Sequence, residues 1–568
     1  MQLLTNHIGY ELSGTKQAVL MSAQPLSGTD VAFLYDADSY EIIAEYPVGK
    51  SNRVANWHQG YFSCIDFSEL TQKGHYYLEV AGYQSHRFEI GNGVLMCHTF
   101  SDLLHYFKSQ RCSGTFDRQD RMLPLLGTEN RVDVHGGWYD ASGDVSKYLS
   151  HLSYTNYLNP QQTPMIVWNM LKGLSLLEER DDLAPFFRLR LTEEALFGAD
   201  FLLRMQDPSG FFYMTVFDQW SKDVKQREIC AYATQEGLKS DDYQAAFRQG
   251  GGMAIAALSS AARLDVHGEF TQQDYLQAAT TGYWHLKEHN TTYLDNGEEN
   301  IIDQYCALLA SVELYRTTKE NVYLAESREW ALKLLLCQHT DAFFSDFWAV
   351  TEEGKRPYYH AAEAGLPVIA LCEYLDIEPD LSIKNDVKSK VSAAISFEIT
   401  VTQKVFNPFG YPRQYTQSTD GVKRDAFFMP HKNESEYWWQ GENARLASLA
   451  VMALLAKEHV HHAELEAYTQ NVLNWIIGLN PYDMCMLDGH GYNNPDYLPD
   501  LGFSNAKGGI CNGITSGFSD EDGIAFNPPA QKNDILQNWR WGEQWIPHAG
   551  WYLLAITLQF AQTTPETE

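Results

Sequence analysis

Basic residues, paired cysteines and long apolar runs are all scarce in this 568-residue chain. Only 42 Lys and Arg stand against 73 Asp and Glu, a formal charge of −31. So acidic a chain repels a phosphate backbone and an anionic bilayer. That removes nucleic acid and membrane surfaces as expected partners and suits a neutral or cationic ligand. The nine cysteines stand singly at 64, 97, 112, 230, 306, 337, 372, 485 and 511. An odd, scattered set without CxxC spacing predicts reduced, mostly buried thiols in a cytoplasmic protein. No apolar run approaches the roughly 20 residues that cross a bilayer. The start, MQLLTNHIGYELSGTKQAVL, has neither the basic nor the apolar region of a secretory signal, which again predicts the cytoplasm.

Aromatic residues, by contrast, make up 13% of the chain. Most serve a large core, and some are candidates for stacking against sugar rings. Length and pattern divide the chain in two. Residues 1–92 read as short strands between turns: in GHYYLEV, Tyr76, Leu78 and Val80 alternate with Tyr77 and Glu79, and in HRFEIG, Phe88 and Ile90 do the same. A small β-sandwich is the expectation. Beyond GNG at 91–93 the spacing becomes helical. In ARLASLAVMALLA, positions 446, 449, 450, 453 and 454 form one helix face. About a dozen such segments, with long loops between them, predict an all-α barrel or toroid over 93–568.

Two places hold candidate chemistry. In VHGGWYDASGDVSKYLSH, residues 134–151, Asp140 and Asp144 sit four apart beside Trp138 and Tyr139. Like charges so close repel, so the pair is either a solvated turn or a grip on a water or a metal ion. In NWRWGEQWIPHAGWYLLAITL, Glu543 lies between Trp541 and Trp545, just before a helix whose first turn takes Pro547. It reads either as a partly desolvated general acid or as a carboxylate favoured by a helix N-terminus. SEYWWQGENAR offers Glu436, Trp438, Trp439, Glu442 and Arg445; YHAAEAG offers His360 and Glu363; FGYPRQY offers Tyr411 and Arg413. Glu442 and Arg445 also fit a plain (i, i+3) helix pair.

GGWYDASGDVSKY resembles the Gly-Gly-Trp-(His/Tyr)-Asp-Ala-Gly-Asp motif of glycoside hydrolase family 9. HIGYELSGTKQAVL resembles the opening strand of the Ig-like domain preceding many of its catalytic domains. ADFLLRMQDPSGFFY, HAAEAGLPVIAL, VLNWIIGLNPYDM and GEQWIPHAGWYLLAITL follow in the family's usual order. The resemblance implies an (α/α)6 barrel and an inverting mechanism. It makes Asp144 the general base, Asp140 a holder of the nucleophilic water and Glu543 the general acid. Trp138, Tyr139, His360, Tyr411, Arg413, Trp438, Trp439, Glu442 and Trp541 are the expected substrate contacts.

The departures bear on substrate. Ser142 is inserted into the Asp motif, Gly542 replaces an Asn, and GHGYNNPDYLP stands where a His-His-Arg sugar-binding segment is usual. Of the family's Cys2His2 zinc ligands only Cys112 and His135 match, so no zinc is expected. No cofactor is called for, though a structural calcium is compatible with the family. The lost segment points to a pocket and exo action on oligosaccharides. The chain resembles the branch of exo-β-D-glucosaminidases, with Glu442 or Glu436 as partner for an amino sugar. A cellobiase-type β-glucosidase, an endoglucanase on cello-oligosaccharides and a non-hydrolytic carbohydrate-binding protein are the alternatives. The sequence assigns no oligomeric state.

Overall fold

Tyr76, Leu78 and Val80 point inward from the strand Gly74–Val80, as period-2 alternation requires. In the computed structural model, which describes residues 1–563 except 29, 179, 181 and 500–504, this strand is central to one of two facing sheets. Its sheet runs in the order Gly9–Glu11, Phe88–Gly91, Gly74–Val80, Val31–Asp36, Ile42–Pro47, with the first pair parallel. The other sheet is Gln2–Leu4, Gln17–Ser22, Tyr61–Asp66, all antiparallel. Between them Tyr10, Leu20, Leu34, Ile65 and Phe88 form a core of their own. This is the expected Ig-like sandwich.

Strands then give way to helices. The last strand of the sandwich ends at Gly91 and the first helix, Val94–Gln110, begins three residues later. Six helices form a closed inner ring: Thr163–Leu177, Gly251–Ala261, Ile301–Thr318, Leu366–Ile377, Asn443–Ala456 and Ile546–Ala561, the last packing back on the first. Six more pack outside them: Val94–Gln110, Pro185–Arg204, Gln272–Tyr293, Asn321–Leu336, Leu381–Gln403 and Leu465–Ile476. The chain folds as an (α/α)6 barrel. Asn443–Ala456 is buried on every side, not on the single face its spacing predicted. An inner helix has neighbours in the ring on both flanks and an outer helix behind it, so no face is left for water. Residues 564–568, the end of the expected second domain, lie outside the described residues.

The sandwich and barrel pack directly. Phe62 packs edge-on and Trp57 tilted against Phe409, and Trp57 also meets Trp475, inside the barrel's apolar core. Glu11 reaches across to accept the backbone N–H groups of Gly93 and Val94 at 2.8 and 3.1 Å, satisfying donors that the first helix leaves open. Asp483 of the barrel receives His7 at 2.9 Å, His86 at 3.1 Å and Gln2 at 2.9 Å. Burial works against this carboxylate, yet the two histidines hold its pKa well below the ordinary range.

Candidate active site

The segment Asp140–Asp144 is a tight hairpin. Ala141 and Asp144 exchange both backbone hydrogen bonds at 3.2 Å, leaving Ser142 and Gly143 at the tip. The inserted serine fastens that tip to the last barrel loop. Ser142 N–H donates to the Gln544 carbonyl at 2.9 Å, and Gln544 N–H donates to Ser142 Oγ at 3.0 Å. Next to it, Gly143 N–H donates to Glu543 Oε1 at 3.1 Å. A Cβ at position 143 would run into that same oxygen, so any larger residue would push the Glu543 carboxyl out of this place. Ile546 N–H closes the arrangement on the Asp140 carbonyl at 3.0 Å. The two ends of the barrel's sequence thus bring Asp140, Asp144 and Glu543 together.

Each aspartate is gripped by three donors. Asp140 Oδ2 accepts His151 Nε2 and Trp545 Nε1, both at 2.9 Å, and Oδ1 accepts Gln162 Nε2. Asp144 Oδ2 accepts the Tyr148 hydroxyl at 2.7 Å and Trp220 Nε1 at 3.1 Å, and Oδ1 accepts Ser146 N–H at 2.8 Å. One lone pair is left on each Oδ1, enough to hold a shared water. Burial, then the charges of Asp140 and Asp218, push Asp144 up to about 6. Asp218 is itself fully buried, with Oδ1 on Ser146 Oγ at 3.0 Å and Oδ2 unpartnered. The Glu543 carboxyl rises well above its ordinary value through desolvation and the nearby charges of Asp144 and Asp140; the Gly143 bond and Lys222 oppose the rise. The set therefore offers a carboxyl biased toward its protonated form beside a carboxylate that accepts a proton near pH 6.

A cavity of about 290 Å³ opens over the three carboxylates. Its walls include Trp220, Tyr232, Tyr437, Trp438, Trp539 and Trp545. His151, stacked on Tyr148 at 3.6 Å, and Gln440 also border it. Of the expected substrate contacts, Trp438 lies on this wall and the others do not. Trp138 is buried and donates to Glu194 at 2.7 Å. The Tyr139 hydroxyl turns away to the Ser113 backbone. His360 is buried against the backbone of Ala362 and Glu363, with its pKa lowered by burial to about 3. Tyr411 donates to Glu442 at 3.1 Å, and Arg413 pairs with Asp425 at 2.6 Å. Glu442 is consumed by Arg445 at 2.6 Å, Met429 N–H at 2.7 Å and Gln414 at 2.9 Å, which is the helix-pair reading extended into a buried network. Trp439 stacks on His431 at 3.7 Å, and Trp541 packs edge-on against Trp439. Glu436 is exposed and outside the cavity wall. The aromatic residues that do face the cavity were hidden because most sit in loops without periodicity, as Trp220 does in DQWSKDV. Trp438, in its Trp pair, and Trp545, beside Glu543, carried a signal.

Among the described residues two clusters bring donor atoms of three groups within 4.8 Å: Asp140, Asp144 and His151, and His7, His86 and Asp483. Neither fits the structural calcium, which takes six to eight oxygens. Tyr492 N–H donates to His7 Nδ1 at 3.2 Å, so the ring proton sits on Nε2 and points at Asp483. The matched zinc positions are engaged by carboxylates: Cys112 by Asp120 at 3.5 Å, His135 by Asp133 at 2.6 Å. Asp120 also binds Arg227 and Lys147, both at 2.7 Å. The nine cysteines are all free thiols, and no helix among the described residues is long and apolar enough to cross a membrane.

Comparison with known proteins agrees with this geometry. The profile of glycosyl hydrolase family 9 matches residues 97–509, and that of the cellulase N-terminal Ig-like domain matches residues 2–85. Among solved structures, a metagenome-derived glycoside hydrolase family 9 endoglucanase superposes with TM-score 0.66 at 18% identity, over 99% of both chains. A family 9 protein of Bacteroides ovatus gives 0.65 at 18%, over 98% of both. AaCel9A in complex with cellobiose-like isofagomine gives 0.64 at 17%, over 99% of this chain and 100% of that one. At such identities the likeness speaks for the fold. No curated protein sequence matched.

Proposed function

The chain belongs to glycosyl hydrolase family 9, and on that premise we propose that it is an inverting, exo-acting β-1,4-glycosidase releasing glucosamine from the non-reducing end of short chitosan-derived oligosaccharides. One observation carries the chemistry: Glu543, with its pKa raised, abuts the hairpin that presents Asp140 and Asp144. In this reading a water sits between the free lone pairs of the two aspartates. Asp144 takes its proton as the oxygen attacks the anomeric carbon, and Glu543 protonates the departing glycosidic oxygen. The inverting course rests on the likeness to the family's catalytic set, in which the base carboxylate activates a water instead of attacking the anomeric carbon itself.

The cavity supports a cationic sugar. Three carboxylates border it, and no arginine or lysine is among its described lining residues. Since Glu442 and Glu436 are not available, the ammonium would meet the catalytic carboxylates and aromatic faces instead. The free cysteines support a reducing, cytoplasmic setting. A second reading, an endo-acting β-1,4-glucanase on cello-oligosaccharides, is favoured by the endoglucanases among the structural neighbours. The deciding measurement is kcat/KM on the β-linked glucosamine disaccharide against cellobiose and cellotetraose. Glucosaminide preference with monosaccharide product is expected; faster internal cleavage of cellotetraose would establish the second reading.

A further inference from the structure

Gln440 stands out among the cavity residues. It is 3% exposed, it borders the cavity, and its side-chain Nε2 has no hydrogen-bond partner in the protein. A buried amide left unpaired is destabilising, and a protein retains one chiefly where a ligand or a water completes it. Its surroundings hold it still. Arg540 donates through Nη1 to the carbonyls of Tyr437 at 2.8 Å and Trp439 at 2.7 Å, and Gly441 N–H returns to the Arg540 carbonyl at 2.9 Å. The Arg540 guanidinium lies over Trp439 and Trp539 at 4.1 and 4.6 Å. Gly441 has no room for a Cβ, which would strike the Asn512 carbonyl. Gln440 is therefore fixed to the same short segment that carries Glu543 three residues beyond Arg540, and its position relative to the acid is set before any ligand arrives.

We propose that Gln440 is a specificity-determining contact, hydrogen-bonding one hydroxyl of the sugar seated over the carboxylates; the inference rests on the glycosidase reading above. The chemistry selects a hydroxyl over an ammonium. An amide N–H needs an acceptor, and an ammonium has none to offer. A hydroxyl, donor and acceptor at once, satisfies the amide in either orientation.

The test is a matrix of enzymes and ligands. Wild type, Gln440→Ala and Gln440→Met are measured on the glucosamine disaccharide, cellobiose and monodeoxy analogues of each, by kcat/KM and by calorimetric binding. The expected result is a loss of about 10- to 100-fold for both variants on the parent sugar. One monodeoxy analogue should lose as much with wild type and nothing further with the variants. The melting temperature of Gln440→Met should equal or exceed wild type, because the lost amide had no partner; a merely structural glutamine would lower it. Unchanged kcat/KM in both variants, or an equal loss across every analogue, overturns the proposal. If wild type binds these sugars and hydrolyses none, the glycosidase reading fails while the binding matrix still judges Gln440. If it binds none of them, both fall.

Discussion

The backbone N–H of Gly143 donates to Glu543 Oε1 over 3.1 Å, across 400 positions of sequence. With the Ser142–Gln544 pair beside it, this bond makes the turn that presents the aspartates and the loop that presents the glutamate one unit. The place of the acid relative to the base depends on the barrel being closed, because the two lie at opposite ends of the helical ring.

Removing either end of the proposed proton path should be severe. Asp144→Asn and Glu543→Gln are each expected to lower kcat on the best glycoside by about 10²–10⁴, as for loss of a general base or acid. Steady-state rates check this, and proton NMR of the first product should show the α-anomer from a β-linked substrate.

The pH profile of kcat/KM should rise through an acid limb near the value of about 6 at Asp144. Trp220→Phe removes the Nε1 donor at 3.1 Å from the charged form of that carboxylate. Losing a bond that favours the anion moves the limb to higher pH. A limb that stays in place in Trp220→Phe would separate it from Asp144.

Stability should run against activity at Glu543. Its pKa in the folded protein lies above the ordinary 4.5. Folding therefore favours the protonated form, and that contribution is present below about 4.5 and is lost as pH rises. Glu543→Gln carries no such charge. Its melting temperature relative to wild type is expected to climb from pH 4.5 to pH 8, a trend calorimetry across that range would reveal.

Ser142→Ala deletes the acceptor of Gln544 N–H, part of a two-bond tie. The expected cost is about 1 kcal/mol. Deletion of residue 142 shortens the hairpin tip and should lower kcat by a larger factor than Ser142→Ala does, because the tip would no longer meet the Glu543 loop.

Asp483→Ala leaves His7, His86 and Gln2 without their common acceptor. A loss of about 1–3 kcal/mol is expected, felt first between the domains. Denaturation followed by near-ultraviolet signals of the two domains should lose its single coincident transition.

Much of the molecule is written locally. The alternation of Tyr76, Leu78 and Val80 and the helical spacing beyond Gly93 specify sandwich and barrel, because side-chain period is a property of neighbouring residues. The three carboxylates were legible too, in the Asp motif and in the acid before the last helix. The rest of the cavity wall was legible at Trp438 and hardly elsewhere. Trp439, Tyr411, Arg413 and Glu442 have the composition of a binding site, yet packing turns them into the core, where Trp439 stacks on His431 and the polar ends of the other three pair with Asp425, Arg445 and one another. Trp220, Tyr232 and Gln440 have the composition of ordinary loops and a strand, yet they border the cavity. A residue's chemistry is carried by its side chain, but which way that side chain faces is decided by partners hundreds of positions away, and those partners are assembled only when the ring of helices closes.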